Sequence, residues 1–432
     1  MHLLVAAHDF YPDPGSGGTG RYVHETARRL ADRGHDVSVV TRRRGDVPAR
    51  ETVAGVRVAR YDLSVAERSA PDIAAQLPGA VRSVRDHLDA LPDPDLVSFQ
   101  GTVTDPVVDL LVDDAVPRSA TFHSPWPTEY RIRAGHEDRP SAPRRRLNAA
   151  LRERIERSVL GDCEQVLALS EFMAGKLREV HGPVADPDVV PGGVDVERYR
   201  PDAGTYEPMI SGGGDEGRPR DEGRDATTGD EGRTATVTPD GGADAETAFL
   251  TVRRLSPRMG HGMLLRAFAR VARTRPDVHL YVAGDGPLRG ELERRAADLD
   301  LADRVTFLGY VPDEDLPAAY ATADCFALPT RRLEGFGLAT LEALSSGTPV
   351  VATPVGGTTE ILAGLRDDPR VPAEMVVESV DASALADRLA AWADLDPAER
   401  AAAGRACREH ATEHYRWAQT ADALDARYAE LV

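Results

Sequence analysis

Two glutamates with seven residues between them, Glu334 and Glu342, stand inside the stretch PTRRLEGFGLATLEALSSGTPVVATPVGGTTE, residues 329–360. An ionised carboxylate accepts two hydroxyls side by side, which suits a sugar or a ribose. Gly335, Gly337, Gly356 and Gly357 let backbone approach a ligand with no Cβ in the way. The surrounding pattern gives these residues a frame. Cys325–Leu328 is a short apolar run that reads as a buried parallel strand. Leu338–Leu344 has the composition of a helix interior, and Ser345-Ser346-Gly347 ends it. Residues 349–352 read as the next strand, 353–357 as a second glycine turn, and Thr358 opens a second helix. Strand, glycine loop and helix, repeated, set helix N-termini side by side at the carboxyl edge of a parallel sheet. Such termini carry free N–H groups and partial positive charge, a site for a diphosphate. The plainer alternative makes Glu334 a favourable charge at a helix start and Glu342 a solvated helix residue.

The rest of the chain repeats the α/β theme. Residues 2–8 read as a strand, 9–20 as a Gly/Pro-rich loop, 21–33 as a helix and 37–41 as a second strand. The loop is long and its glycines miss the dinucleotide spacing, so a dinucleotide site is not expected. Further strands are expected at 53–61, 96–99, 119–122 and 165–169, and helices at 73–91 and 144–160. His123 follows a strand at its carboxyl end, where catalytic groups collect, although a lone histidine is more often structural. Trp126 and Tyr130 suit an acceptor groove or the core equally. The 144–160 helix is the one basic island, read as a solvated face or a membrane-facing one. Residues 203–246, with GGGDEGRPRDEGRDATTGDEGR, bury too little to offset ordering entropy and read as a disordered linker. A second set follows: strands at 247–252, 278–283, 305–308 and 375–377, with helices between and from 385 to the end.

Composition narrows the function. The 432 residues carry a formal net charge of −19, against a nucleic-acid partner. Lys176 is the one lysine, and arginine supplies the rest of the 52 basic residues. An acidic, lysine-poor surface fits a high-salt cytoplasm, as in a halophilic archaeon. Three scattered cysteines show no disulfide or metal spacing. The first residues lack a basic leader, and no run reaches a membrane span, so a soluble cytoplasmic protein is expected.

The 334–342 stretch resembles the signature of the retaining family 4 (group 1) glycosyltransferases, which have the GT-B fold. The resemblance covers nearly all of the chain except the acidic insertion. It implies an α/β GT-B fold, two Rossmann-like domains facing across a cleft. The expected parts are an acceptor domain at 1–202, a linker at 203–246, a nucleotide-sugar domain at 247–410, and a final helix, 411–432, crossing back. Glu334 would contact the donor sugar and Glu342 the ribose. Backbone N–H groups near Gly335, Phe336, Gly337 and Leu338 would hold sugar and diphosphate. Gly17, Gly18 and Gly20, with Arg21 beside them, would face donor and acceptor from across the cleft. His123 would face the donor sugar, and Tyr310 and Val311 would sit by the base. In the family a loop Arg and a nearby Lys clamp the diphosphate. Arg254 matches that Arg, but Met259 stands at the Lys position, with Arg258 next door as a substitute. Gly192 departs mildly from a usual Asn. The implied activity is hexosyl transfer from a nucleotide-sugar to a glycan, lipid-linked or small-molecule acceptor. No metal or other cofactor is expected, and peripheral contact with the cytoplasmic membrane face is compatible. A nucleotide-sugar epimerase and a non-catalytic sugar-nucleotide-binding protein are the alternatives.

Overall fold

The computed structural model describes residues 1–63, 70–101, 103–133, 142–182, 186–210 and 247–432. Its first half runs β1 (His2–Ala6), α1 (Gly18–Asp32), β2 (Asp36–Arg42), β3 (Arg50–Val53), β4 (Val56–Tyr61) and α2 (Ala70–Leu88). It continues with β5 (Leu96–Phe99), α3 (Asp105–Asp109), β6 (Arg118–Phe122), α4 (Trp126–Arg133), α5 (Ala142–Gly161), β7 (Gln165–Ala168), α6 (Glu171–His181) and β8 (Asp188–Val189). These strands form one sheet in the order β3-β4-β2-β1-β5-β6-β7-β8. The second half holds β9 (Thr247–Val252), α7 (His261–Ala272), β10 (Val278–Ala283), α8 (Arg289–Asp298), β11 (Val305–Gly309), α9 (Leu316–Thr322) and β12 (Cys325–Leu328). Then come α10 (Leu338–Ser345), β13 (Val350–Ala352), α11 (Thr358–Ala363), α12 (Ala382–Ala393), α13 (Pro397–His414) and α14 (Trp417–Ala429). Its sheet, β11-β10-β9-β12-β13, is parallel throughout.

The inner strands are apolar runs because helices cover both faces. All four residues of β12 are buried, as are all five of β1. The sheet order turns back on itself between β1 and β5 in one half and between β9 and β12 in the other. Loops leaving neighbouring strands diverge at such points and open a crevice at the carboxyl edge. The α/β class with two Rossmann-like halves is the architecture observed.

Three expectations change. The strand read at 53–61 is a hairpin, β3 antiparallel to β4, turning at Ala54 (φ 49°) and Gly55 (φ 79°). Two successive left-handed residues are what a tight hairpin needs. Residues 375–377 make a single parallel bridge, Val376 to Ala352, rather than a strand. The linker starts later than its polar composition implies, because residues 203–210 are anchored to the second half. Met209 is buried, and its carbonyl accepts a 2.7 Å bond from the Tyr281 hydroxyl. The Tyr206 N–H donates to Thr322 Oγ1 at 2.8 Å. The remainder of that acidic stretch, 211–246, lies outside the described residues.

The chain then returns to the first half. Val194 N donates to Tyr415 O at 2.7 Å, just before α14 begins. Trp417, Leu424 and Tyr428 of α14 are buried, and the Tyr428 hydroxyl meets Ser98 Oγ at 2.9 Å at the end of β5.

Candidate active site at the cleft

In the second half, the loops leaving β9 and β12 are knitted together across the switch point. Arg331 N donates to Arg258 O at 2.8 Å. Gly260 is left-handed (φ 83°), and a Cβ there would sit 1.8 Å from Pro329 O, so only glycine lets the loops meet. Arg258 Nη1 donates to Leu333 O at 2.7 Å, and Leu333 itself has φ 59°. A branched residue in that region is strained, and the Arg258 bond helps hold it there. Arg258 is thus a brace for the loop that presents Glu334.

The arginine that reaches Glu334 is Arg253, which the sequence reading did not single out. Its Nη2 donates to Glu334 Oε2 at 2.6 Å and lies 3.1 Å from Met259 Sδ. Thr330 Oγ1 donates to the same carboxylate oxygen at 3.2 Å. Arg254, the expected diphosphate contact, is exposed: its carbonyl accepts from Ser256 N at 2.8 Å, while its side chain makes no hydrogen bond or ion pair among the described residues. An arginine doublet at a strand end was the available signal, but the turn decides which member faces inward.

Glu334 and Glu342 lie on either side of the start of α10. Gly337 caps that helix with φ 110°, and a Cβ there would meet Thr358 Oγ1 at 2.4 Å. Gly335 has its carbonyl in a 2.8 Å bond from Ser170 Oγ of the first half. Phe336 is buried, and a Cβ on Gly192 would touch its ring at 2.9 Å, which accounts for glycine there. Leu338 begins α10 and faces Gly18: a Cβ on that glycine would lie 3.6 Å from Leu338 Cδ1. Gly17 caps α1 in open space. Glu342 Oε2 accepts from the Tyr320 hydroxyl at 2.9 Å, and burial raises its pKa against the pull of Arg21. Tyr310 is exposed and Val311 buried beyond β11, so only backbone and the tyrosine ring there are open to a ligand.

His123 follows β6 and packs edge-on against Tyr22, ring centroids 5.0 Å apart. Its Nε2 is 3.0 Å from Gln100 Oε1. The Gln100 amide NH2 donates to Ser98 Oγ and Thr121 Oγ1, so its oxygen accepts and His123 Nε2 carries the proton. That leaves Nδ1 as the ring's acceptor, and burial lowers the pKa to about 4. The His123 carbonyl would be 2.9 Å from a Cβ on Gly335, which brings this residue's backbone against the opposite loop. Trp126 and Tyr130 lie beneath the Arg152 guanidinium, 5.1 and 4.0 Å from the ring centroids, between α4 and α5.

Arg21 bridges the halves. Its Nη2 is 2.6 Å from Asp313 Oδ2, and its guanidinium lies 3.9 Å over the Tyr11 ring. A cavity of about 20 Å³ is lined here by Arg21, Glu25, Asp195, Tyr199, Leu338 and Glu342. Small-molecule pockets run to roughly 300 Å³ or more, so this cavity by itself is too small for a nucleotide.

Comparison with known proteins agrees with this geometry half by half. Residues 16–198 match Glycosyltransferase Family 4, and residues 240–410 match Glycosyl transferases group 1. A GDP-mannose-dependent alpha-(1-6)-phosphatidylinositol monomannoside mannosyltransferase of Mycolicibacterium smegmatis is 32% identical over 284 residues. The match spans 64% of this chain and only 64% of that relative's length. A D-inositol 3-phosphate glycosyltransferase of Nocardia farcinica is 30% identical, over 79% of this chain and 70% of its own. Among solved structures, sucrose-phosphate synthase from Thermosynechococcus elongatus superposes with a TM-score of 0.75 at 22% identity, covering 100% of this chain and 99% of its own. At that identity the likeness speaks for the fold, which is GT-B. With both halves matched and the fold shared, the chain belongs to the group 1, family 4 glycosyltransferases.

Proposed function

We propose that the protein is a glycosyltransferase that moves a hexose from a nucleotide-sugar to an acceptor hydroxyl with retention of anomeric configuration. The observation that carries this reading is the pair Glu334 and Glu342 astride the start of α10, with Gly18 and Arg21 opposite. One carboxylate sits by the switch point for sugar hydroxyls and the other, eight residues on, for ribose. The bond from C1 to the diphosphate oxygen breaks as the acceptor oxygen bonds C1. Retention brings that oxygen in on the face the diphosphate leaves. A departing phosphate oxygen is then the base within reach of the acceptor proton. The protein's part is electrostatic: arginines and backbone N–H groups at the start of α10 receive the charge that develops on the diphosphate. Parting and closing of the halves admits the donor and then excludes water.

GDP-mannose is the first donor to test, since the mannosyltransferase relative is named for it. A lipid-linked acceptor fits α5, whose outer face carries exposed Leu147 and Leu151 among Arg144, Arg146 and Arg154. That face suits peripheral contact with an anionic membrane at the cytoplasmic side.

The test is a thermal-shift series with GDP, UDP, ADP and their sugars on wild type and Glu342→Ala. A ligand of the folded state raises the melting point by mass action. One nucleotide family is expected to stabilise the wild type and to lose its effect in the variant. No shift with any of them overturns the reading. Turnover of the stabilising donor, followed by NMR of the product's anomeric proton, then tests retention.

A further inference from the structure

We infer that Arg253 is the residue that meets the donor diphosphate, supplying a cation at the point where Met259 has none to offer. This rests on the nucleotide-sugar reading above and names its phosphate contact. Arg253 is the first residue beyond β9, at the edge of the switch-point crevice. Its side chain is 9% exposed and lies over the Met259 thioether, 3.1 Å from Sδ, while holding Glu334 Oε2 at 2.6 Å. A thioether has no hydrogen to donate and no charge. The guanidinium from position 253 therefore puts a cation beside the side chain of 259, 3.1 Å from its sulfur.

That guanidinium is underused. Both contacts are made by Nη2, and neither Nε nor Nη1 has a hydrogen bond among the described residues. A guanidinium is a rigid fork of five N–H groups, so it keeps Glu334 with one arm and takes phosphate oxygens with the rest. Beside it lies a second unfilled polar group. His261, the first residue of α7, is 3% exposed, and neither ring nitrogen has a hydrogen-bond partner among the described residues. Burial and the charge of Arg253 lower its pKa to about 3, so it stays neutral. Buried polar atoms are nearly always satisfied, and an exception beside a half-used cation marks room for a polar ligand group. The neighbouring arginines fit less well. Arg258 is committed to the Leu333 carbonyl, and the Arg254 side chain is exposed, with no bond among the described residues to hold it toward Glu334.

Two roles for Arg253 must be told apart: contacting phosphate, or merely orienting Glu334. Nucleotides without sugar separate them, because Glu334 is assigned to the sugar. Calorimetry with GDP, UDP and ADP, and with GMP, UMP and AMP, is run on wild type, Arg253→Gln and Arg253→Gln/Met259→Lys. For the diphosphate that binds wild type, Arg253→Gln is expected to weaken affinity about 10- to 100-fold, the range of a charge-assisted bond. The matching monophosphate should change by about twofold or less, since it lacks the second phosphate. Met259→Lys in the Arg253→Gln chain should recover most of the loss. Diphosphate affinity within about twofold of wild type in Arg253→Gln overturns the inference, as does an equal loss for mono- and diphosphate or the absence of any rescue. A folded wild type that binds none of the three diphosphates overturns the nucleotide-sugar reading itself, and this contact with it. Binding by wild type with an unaffected Arg253→Gln overturns only the contact.

Discussion

At His123 the neighbours decide where the proton sits. Gln100 gives both amide hydrogens to hydroxyls and keeps its oxygen for His123 Nε2, so the ring is held as one neutral tautomer. An unfolded imidazole titrates near 6.5, and burial lowers the folded value to about 4. Between those values the unfolded chain binds a proton that the folded chain refuses. Stability from this group is therefore full above about pH 6.5 and lost as pH falls toward 4, by at most about 1.4 kcal/mol per pH unit. His261 acts in the same sense, while Glu342, with its pKa raised, acts in the opposite one. Subtraction isolates the His123 part. Urea midpoints between pH 7 and 4 are expected to fall less steeply in His123→Gln than in wild type. Parallel slopes would mean that the ring is solvated and titrates freely.

At the scale of elements, α5 is the anomaly. A helix on the surface of a globular protein normally turns its leucines inward, yet Leu147 is 70% exposed and Leu151 54%. They are one turn apart, and Arg144, Arg146 and Arg154 stand exposed around them in a chain of net charge −19. An anionic bilayer offers what both kinds of residue lack. Co-sedimentation with phosphatidylglycerol vesicles is expected for wild type, with weaker binding at higher salt as the arginine part is screened. Leu147→Ser/Leu151→Ser should lower binding at every salt concentration, whereas phosphatidylcholine vesicles should bind little. Equal binding of wild type and variant would remove the leucines from the interface. The inner elements were legible because a strand buried on both faces is simply an apolar run, as in Cys325–Leu328 and Val278–Ala283. The edge strand Arg50–Val53 was not, since charged and exposed residues hide its pairing. Likewise Glu334, Glu342 and the glycines between are legible as a local spacing. The choice of Arg253 over Arg254 depends on a turn after β9, and Arg21 meets Asp313 only through the fold, 292 residues away.

For the whole molecule, the question is what keeps the two halves together. Besides Arg21 and Asp313, the start of α6 is gripped by the opposite half. Glu360 of α11 accepts from Glu171 N at 2.9 Å and Phe172 N at 2.8 Å, a carboxylate on a helix N-terminus. Ser170, the cap of the same helix, donates to Gly335 O at 2.8 Å. These bonds favour the closed arrangement, in which the cavity between Arg21 and Glu342 is only about 20 Å³. Parting of the halves breaks them, so they set the balance between the closed and open arrangements. Each is worth about 1 kcal/mol net, and losing two shifts the closed-to-open ratio by about tenfold or more. Glu360→Gln/Ser170→Ala should therefore show a larger radius of gyration by X-ray scattering without nucleotide, and faster association with a nucleoside diphosphate. The difference should be greatest at low salt, where the acidic halves repel each other with least screening. Saturating nucleoside diphosphate should narrow it, because a ligand gripped by both halves favours the closed state. An unchanged radius and association rate would show that Arg21, Asp313 and the α14 crossing hold the halves together without the α6 clasp.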